Sequence, residues 1–156
     1  MRKIVLSYLL VLCNLVAVAQ TPVRVACIGN SITYGAGIEN RERDAYPVQL
    51  QRMLGEGYVV GNFGKSGATL LNKGHRPYIE QKEFQRALTF AGDVVVIHLG
   101  INDTDPRDWP NYRDYFVRDY LALIDSFRVV NPKVRILVAR MTPITNRHSR
   151  FESGTR

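Results

Sequence analysis

Cysteine is nearly absent from this chain: two occur in 156 residues. Cys13 lies in a stretch that reads as a leader, which leaves Cys27 alone. One thiol closes no intramolecular disulfide, so the domain is expected to be held by its apolar core even in an oxidising compartment. Cys27, in the middle of an apolar run, is expected to be a small buried residue. Long apolar runs are lacking too. The stretch from Ile4 to Val18 falls short of the ~20 residues a membrane span needs. With Arg2-Lys3 before it and Ala17-Val18-Ala19 at its end, it has the form of a secretory signal peptide. Cleavage is expected after Ala19, with the product secreted or periplasmic and not membrane-bound. Blocks of one charge are missing as well: basic residues outnumber acidic ones 21 to 14, yet no five Lys or Arg stand together. Two of the basic residues leave with the leader, which lowers the net charge from +7 to +5. Mixed segments such as Arg41-Glu42-Arg43-Asp44 therefore argue against a nucleic-acid partner. Repeats, linkers and low-complexity tracts are absent, so residues 1–19 read as leader and 20–156 as one domain.

What is present is an alternation of strand and helix signals. Val23 to Ile28, Tyr58 to Phe63, Asp93 to Leu99 and Val134 to Ala139 read as strands. The third is a continuous apolar run of the kind that suits a parallel strand covered on both faces. Between them, helices are expected from Ala45 to Leu54, with Asp44 as cap and Pro47 in the first turn, around Glu80 to Phe90, and from Tyr112 to Val130. Crossovers of this length join parallel strands with right-handed connections. The expected architecture is a three-layer α/β/α sandwich, flavodoxin-like, with strand order 2-1-3-4.

In such a sheet the chemistry sits at the carboxyl ends of the strands. The loop after the first strand carries Gly29-Asn30-Ser31-Ile32-Thr33, in which Ser31 is either a nucleophile or a turn serine that caps the next helix. The second loop carries Gly64-Lys65-Ser66-Gly67, and the third Gly100-Ile101-Asn102-Asp103. Taken in order, the three segments resemble the first three sequence blocks of the SGNH (GDSL-type) hydrolases. Asn30 stands where the GDSL motif has Asp. Within that family the blocks, together with Tyr46-Pro47 and the stretch from Asp108 to Tyr112, look most like exported carbohydrate esterases of the sialate O-acetylesterase-like group.

The resemblance implies a serine ester hydrolase that acts through an acyl-enzyme intermediate on small acyl esters, O-acetyl groups on carbohydrate above all, with no metal or organic cofactor. It makes Ser31 the nucleophile and places Gly67 and Asn102 in the oxyanion hole, where each fixed donor is worth roughly 3 kcal/mol. Gly67 suits the role because a backbone N–H without a side chain can approach substrate closely. The family's base is a His in a late D-x-x-H motif, and that motif is missing. His75, His98 and His148 are preceded at three residues by Asn72, Val95 and Thr145. His98 is expected to be a packed residue of the third strand, His75 a surface residue in a basic loop, and His148 a residue after the fourth strand. The chain reads as cut ahead of the motif, and by itself is expected to be nearly inactive. Trp109 and Tyr112 are candidates for stacking on a sugar ring.

Other signals are weaker. Lys65-Ser66 suggests a phosphate loop, but Val59 stands where that motif needs Gly. Asp103, Asp105 and Asp108 read as a solvated loop rather than a metal site. Two further functions share these residues: a lipase or thioesterase of the same fold, and a noncatalytic carbohydrate-binding module that has kept the pocket.

Overall fold

A computed structural model describes residues 21–143. The leader and His148 lie outside the described residues. Four strands, β1 (Val23–Gly29), β2 (Tyr58–Gly64), β3 (Val94–His98) and β4 (Arg135–Val138), form one sheet. Their order is β2-β1-β3-β4 and every pairing is parallel, as expected.

Successive side chains of a strand point to opposite faces, and β1 sorts its residues accordingly. Ala26 and Ile28 join Phe63, Val95 and Ile97 in the main core. This face is covered by α4 (Lys82–Phe90) and α6 (Phe116–Val130), which meet where Phe84 and Phe127 pack edge to face with ring centroids 6.0 Å apart. Cys27 belongs to the other face, beside Tyr46 of α3 (Tyr46–Leu54). It is fully buried, and burial pushes its thiol up to about 11. The thiol is thus a packing group, as the sequence suggests.

Several boundaries differ from expectation. Asp44 does not cap α3. It ends a separate turn of helix, α2 (Arg41–Asp44), and its carboxylate accepts from the Arg43 guanidinium, while Ala45 fills the cap position with no side-chain bond. Another short helix, α1 (Ser31–Tyr34), follows β1 directly. The expected long helix begins at Phe116, because α5 (Trp109–Tyr112) and a tight turn at Arg113–Tyr115 precede it. On β3, Val95 and Ile97 are fully buried, but Val94, Val96 and His98 are only half-buried. That strand is therefore not covered equally on both faces.

Phe127 is 3% exposed at the junction of the two main helices. Phe127→Ala should lower stability by about 3–5 kcal/mol, read from the urea midpoint, because the cavity it leaves cannot fully collapse.

Candidate active site

Register decides which loops meet. Gly29 at the end of β1 pairs with Gly64 at the end of β2 and with His98 at the end of β3, so the three following loops leave the sheet side by side. His98 is consequently half-buried at the lip of the sheet, and not a core residue as expected.

Ser31 opens α1. The preceding Asn30 caps this helix, its Oδ1 accepting the Ile32 N–H at 3.0 Å, and its Nδ2 is buried with no acceptor among the described residues. The capping role is thus taken by Asn30, which leaves the half-exposed Ser31 side chain for other work. The helix is fastened from three sides. Thr33 Oγ1 lies 3.3 Å from the Tyr46 hydroxyl, and Asn62 Nδ2 donates to the Thr33 carbonyl at 2.8 Å. Gly64 abuts the backbone of Thr33 and Tyr34 so closely that a Cβ would stand 2.2 Å from the Tyr34 nitrogen. The second loop is tied back in turn: Lys65 N–H donates to the Gly29 carbonyl at 2.9 Å.

Gly67 has φ +77°, in the left-handed region that strains other residues, and a side chain there would meet the Arg76 guanidinium. Asn102 begins a tight turn (Asn102–Thr104) and is 9% exposed. Its Nδ2 donates to the carbonyl of Ala68 at 2.8 Å. One amide proton is used in this way, and the second remains for another acceptor. The second and third loops are thereby joined at Asn102 and at Ala68, the residue after Gly67.

The acidic residues of the third loop are buried, which corrects the expectation of a solvated loop. Asp103, fully buried, accepts from Leu70 N–H at 2.9 Å and Leu71 N–H at 2.7 Å. Burial pushes its carboxyl up to about 6, against the lowering effect of those two donors. Asp108 accepts from the His75 backbone N–H at 2.9 Å and lies 2.6 Å from His75 Nδ1. Asp119 of α6 accepts from Asn72 N–H at 2.9 Å. Asp105 pairs with Arg107, whose guanidinium holds it well below the usual carboxylate range. The local sequence gives little sign that the first three are structural ligands of residues 70–75. The one available signal was the Asp that follows Asn102, because a buried loop rich in backbone N–H groups needs acceptors. His75, expected at the surface, is instead anchored through Nδ1.

Of the aromatic candidates, Trp109 is half-buried and turns its ring edge-on to Phe116, with centroids 5.5 Å apart. Tyr112 is half-buried on the same short helix.

A parallel sheet flanked by helices, whose loops at the carboxyl end carry a serine, a left-handed glycine and an anchored asparagine amide, defines an α/β protein. The chain belongs to the GDSL-like lipase/acylhydrolase family, whose model matches residues 27–155. It is 50% identical over 109 residues to an acetylxylan esterase of Xylanibacter ruminicola, a match that takes in 70% of this chain and 22% of that protein. It therefore spans less than a quarter of that relative's length. Among solved structures it resembles a G-D-S-L family protein from Desulfitobacterium hafniense, with TM-score 0.56 and 19% identity over 79% of this chain and 62% of that one. It also resembles the aryl esterase of M. smegmatis, with TM-score 0.54 and 21% identity over 74% of this chain and 62% of that one. At such identities the two structures establish the fold.

Asp103 gives the site a pH signature. Above its ordinary value of 3.8 the unfolded chain has lost this proton, while the folded protein keeps it until about 6. The folded state binds more protons in that window, so this group's contribution to stability falls as pH rises from about 4 to 6, by on the order of 3 kcal/mol. Urea midpoints measured across the window should show the decline in the wild type and lose this component in Asp103→Asn.

Proposed function

We propose that this chain carries the nucleophile and oxyanion hole of an exported serine ester hydrolase that removes O-acetyl groups from carbohydrate. The observation that carries the reading is the Asn102 amide bonded to the Ala68 carbonyl, one residue from Gly67, at the sheet end where Ser31 opens its helix. In the proposed reaction Ser31 Oγ attacks the ester carbonyl carbon and its proton passes to a general base. The carbonyl oxygen becomes an anion, stabilised by the Gly67 N–H, the Ser31 N–H and the second Asn102 amide proton. Collapse expels the sugar hydroxyl and leaves acetyl on Ser31, and water releases acetate in a second, matching step. Because no D-x-x-H occurs in these 156 residues, the proposal assigns the base to a histidine outside them.

Acetylated carbohydrate is favoured as substrate because the relative at 50% identity is an acetylxylan esterase. None of the relatives named above is a sialate O-acetylesterase, so the narrower assignment to that group has no such support. Export rests on the leader sequence, and Trp109 and Tyr112 are assigned as walls for the sugar. A lipase or thioesterase would prefer longer acyl chains in an ester series, and a noncatalytic binding module would not acylate.

In the full-length protein a fluorophosphonate probe should label Ser31, and Ser31→Ala should abolish both the label and aryl-acetate turnover. Asn102→Ala should lower kcat by about 10²–10³-fold with a smaller change in KM. Absence of labelling in the wild type would overturn the reading.

A further inference from the structure

Beside the second loop lies a cavity of about 650 Å³ that the ester chemistry does not use. It opens at the β2 edge of the sheet, between α3, represented by Val48, and α4, represented by Lys82, Glu83 and Arg86. Five cations line it, Arg41, Lys65, Arg76, Lys82 and Arg86, against the carboxylates of Glu42 and Glu83. Lys65 lies 3.6 Å from Glu83, and Arg41 stacks on Tyr34 at 4.0 Å while standing 3.9 Å from Glu42. Among the described residues no carboxylate lies within ion-pair distance of Arg76, Lys82 or Arg86. A concave wall with three uncompensated cations calls for an anion.

A second observation concerns Glu83. It is 8% exposed, and its Oε2 is buried with no hydrogen-bond partner among the described residues. Its Oε1 is the atom that meets Lys65, so Glu83 compensates that cation and none of the other three. A ligand that meets these cations therefore carries a negative charge, and on a carbohydrate a carboxylate supplies it.

The cavity also adjoins the reaction site. Arg76 lines it, donates to the Ser66 carbonyl at 3.0 Å, and lies where a Cβ on Gly67 would meet its guanidinium. Tyr34 and Gly64 form part of the wall, at the far end of the helix that Ser31 opens. A second hollow of about 590 Å³ shares Asn62 and Arg86 with the first, so the depression continues along β2, as a polymer chain requires.

We propose that this cleft is a subsite for the carboxylate of an acidic sugar unit, a uronate, borne by the carbohydrate whose ester is cleaved. The inference rests on the ester-hydrolase reading, and a binding measurement separates the two. Titration calorimetry on full-length Ser31→Ala protein, at low salt, compares an unacetylated neutral xylo-oligosaccharide with the same oligosaccharide carrying one glucuronate. The acidic ligand should bind about tenfold more tightly, the effect of one or two charge-assisted contacts. That ratio should fall to near one in Lys82→Gln/Arg86→Gln and shrink as salt rises. Equal affinity for the two ligands, or a preference that survives the double substitution, would overturn the proposal. So would inorganic phosphate competing as strongly as free glucuronate, which marks a general anion site. Loss of aryl-acetate turnover in the wild type, by contrast, would overturn the esterase reading and leave the binding result standing.

Discussion

Three buried carboxylates hold the second loop in place, and the arrangement of the site depends on them. Residues 70–75 form neither helix nor strand, so their backbone N–H groups have no ladder to join. Asp103, Asp119 and Asp108 accept from Leu70, Leu71, Asn72 and His75, and each comes from the third loop or the helices that follow it. Hydrogen bonds to charged acceptors contribute about 1.5–3 kcal/mol apiece, more than neutral ones. For Asp103 the gain is set against the cost of burying its charge, and burial wins, which is why its carboxyl is pushed up. A loop fastened in this way holds one backbone shape, which the proposed stabilisation of a developing anion needs.

The serine's own setting follows a related logic. Asn30 takes the helix cap, Thr33 takes the bonds to Tyr46 and Asn62, and Gly64 allows the two backbones to touch. The neighbours of Ser31 thus do the structural work, and Ser31 is positioned by them. The Asn102 bond to Ala68 closes the arrangement by setting the amide against the glycine loop. The basic cleft on the β2 side is a separate feature of the same loop, because Arg76 touches both.

The strands, their order and the three loops on which Ser31, Gly67 and Asn102 lie were legible in the sequence. Strand and helix periods differ, and Gly-rich turns mark the ends of buried runs, so this information is local. The roles of Asp103, Asp108 and Asp119 were not legible. An acidic residue in a polar segment is usually solvated, and only a fold that brings residue 103 to residue 70 turns it into a buried acceptor. His75 and His98 were misplaced for the same reason: neither the partner of one nor the sheet-lip position of the other is a property of its neighbours in sequence. The cleft was equally invisible, since its cations are spread from Arg41 to Arg86 and read as a dispersed surface.

The sequence by itself determined an α/β chain with glycine-bearing loops after its first three strands, because hydrophobic period and turn chemistry act over a few residues. Tertiary structure decided which donors face which acceptors and where charge is left uncompensated. Those outcomes depend on burial and on distances between residues 30 to 50 positions apart, and pairing in a parallel sheet establishes such distances only when the whole domain has assembled.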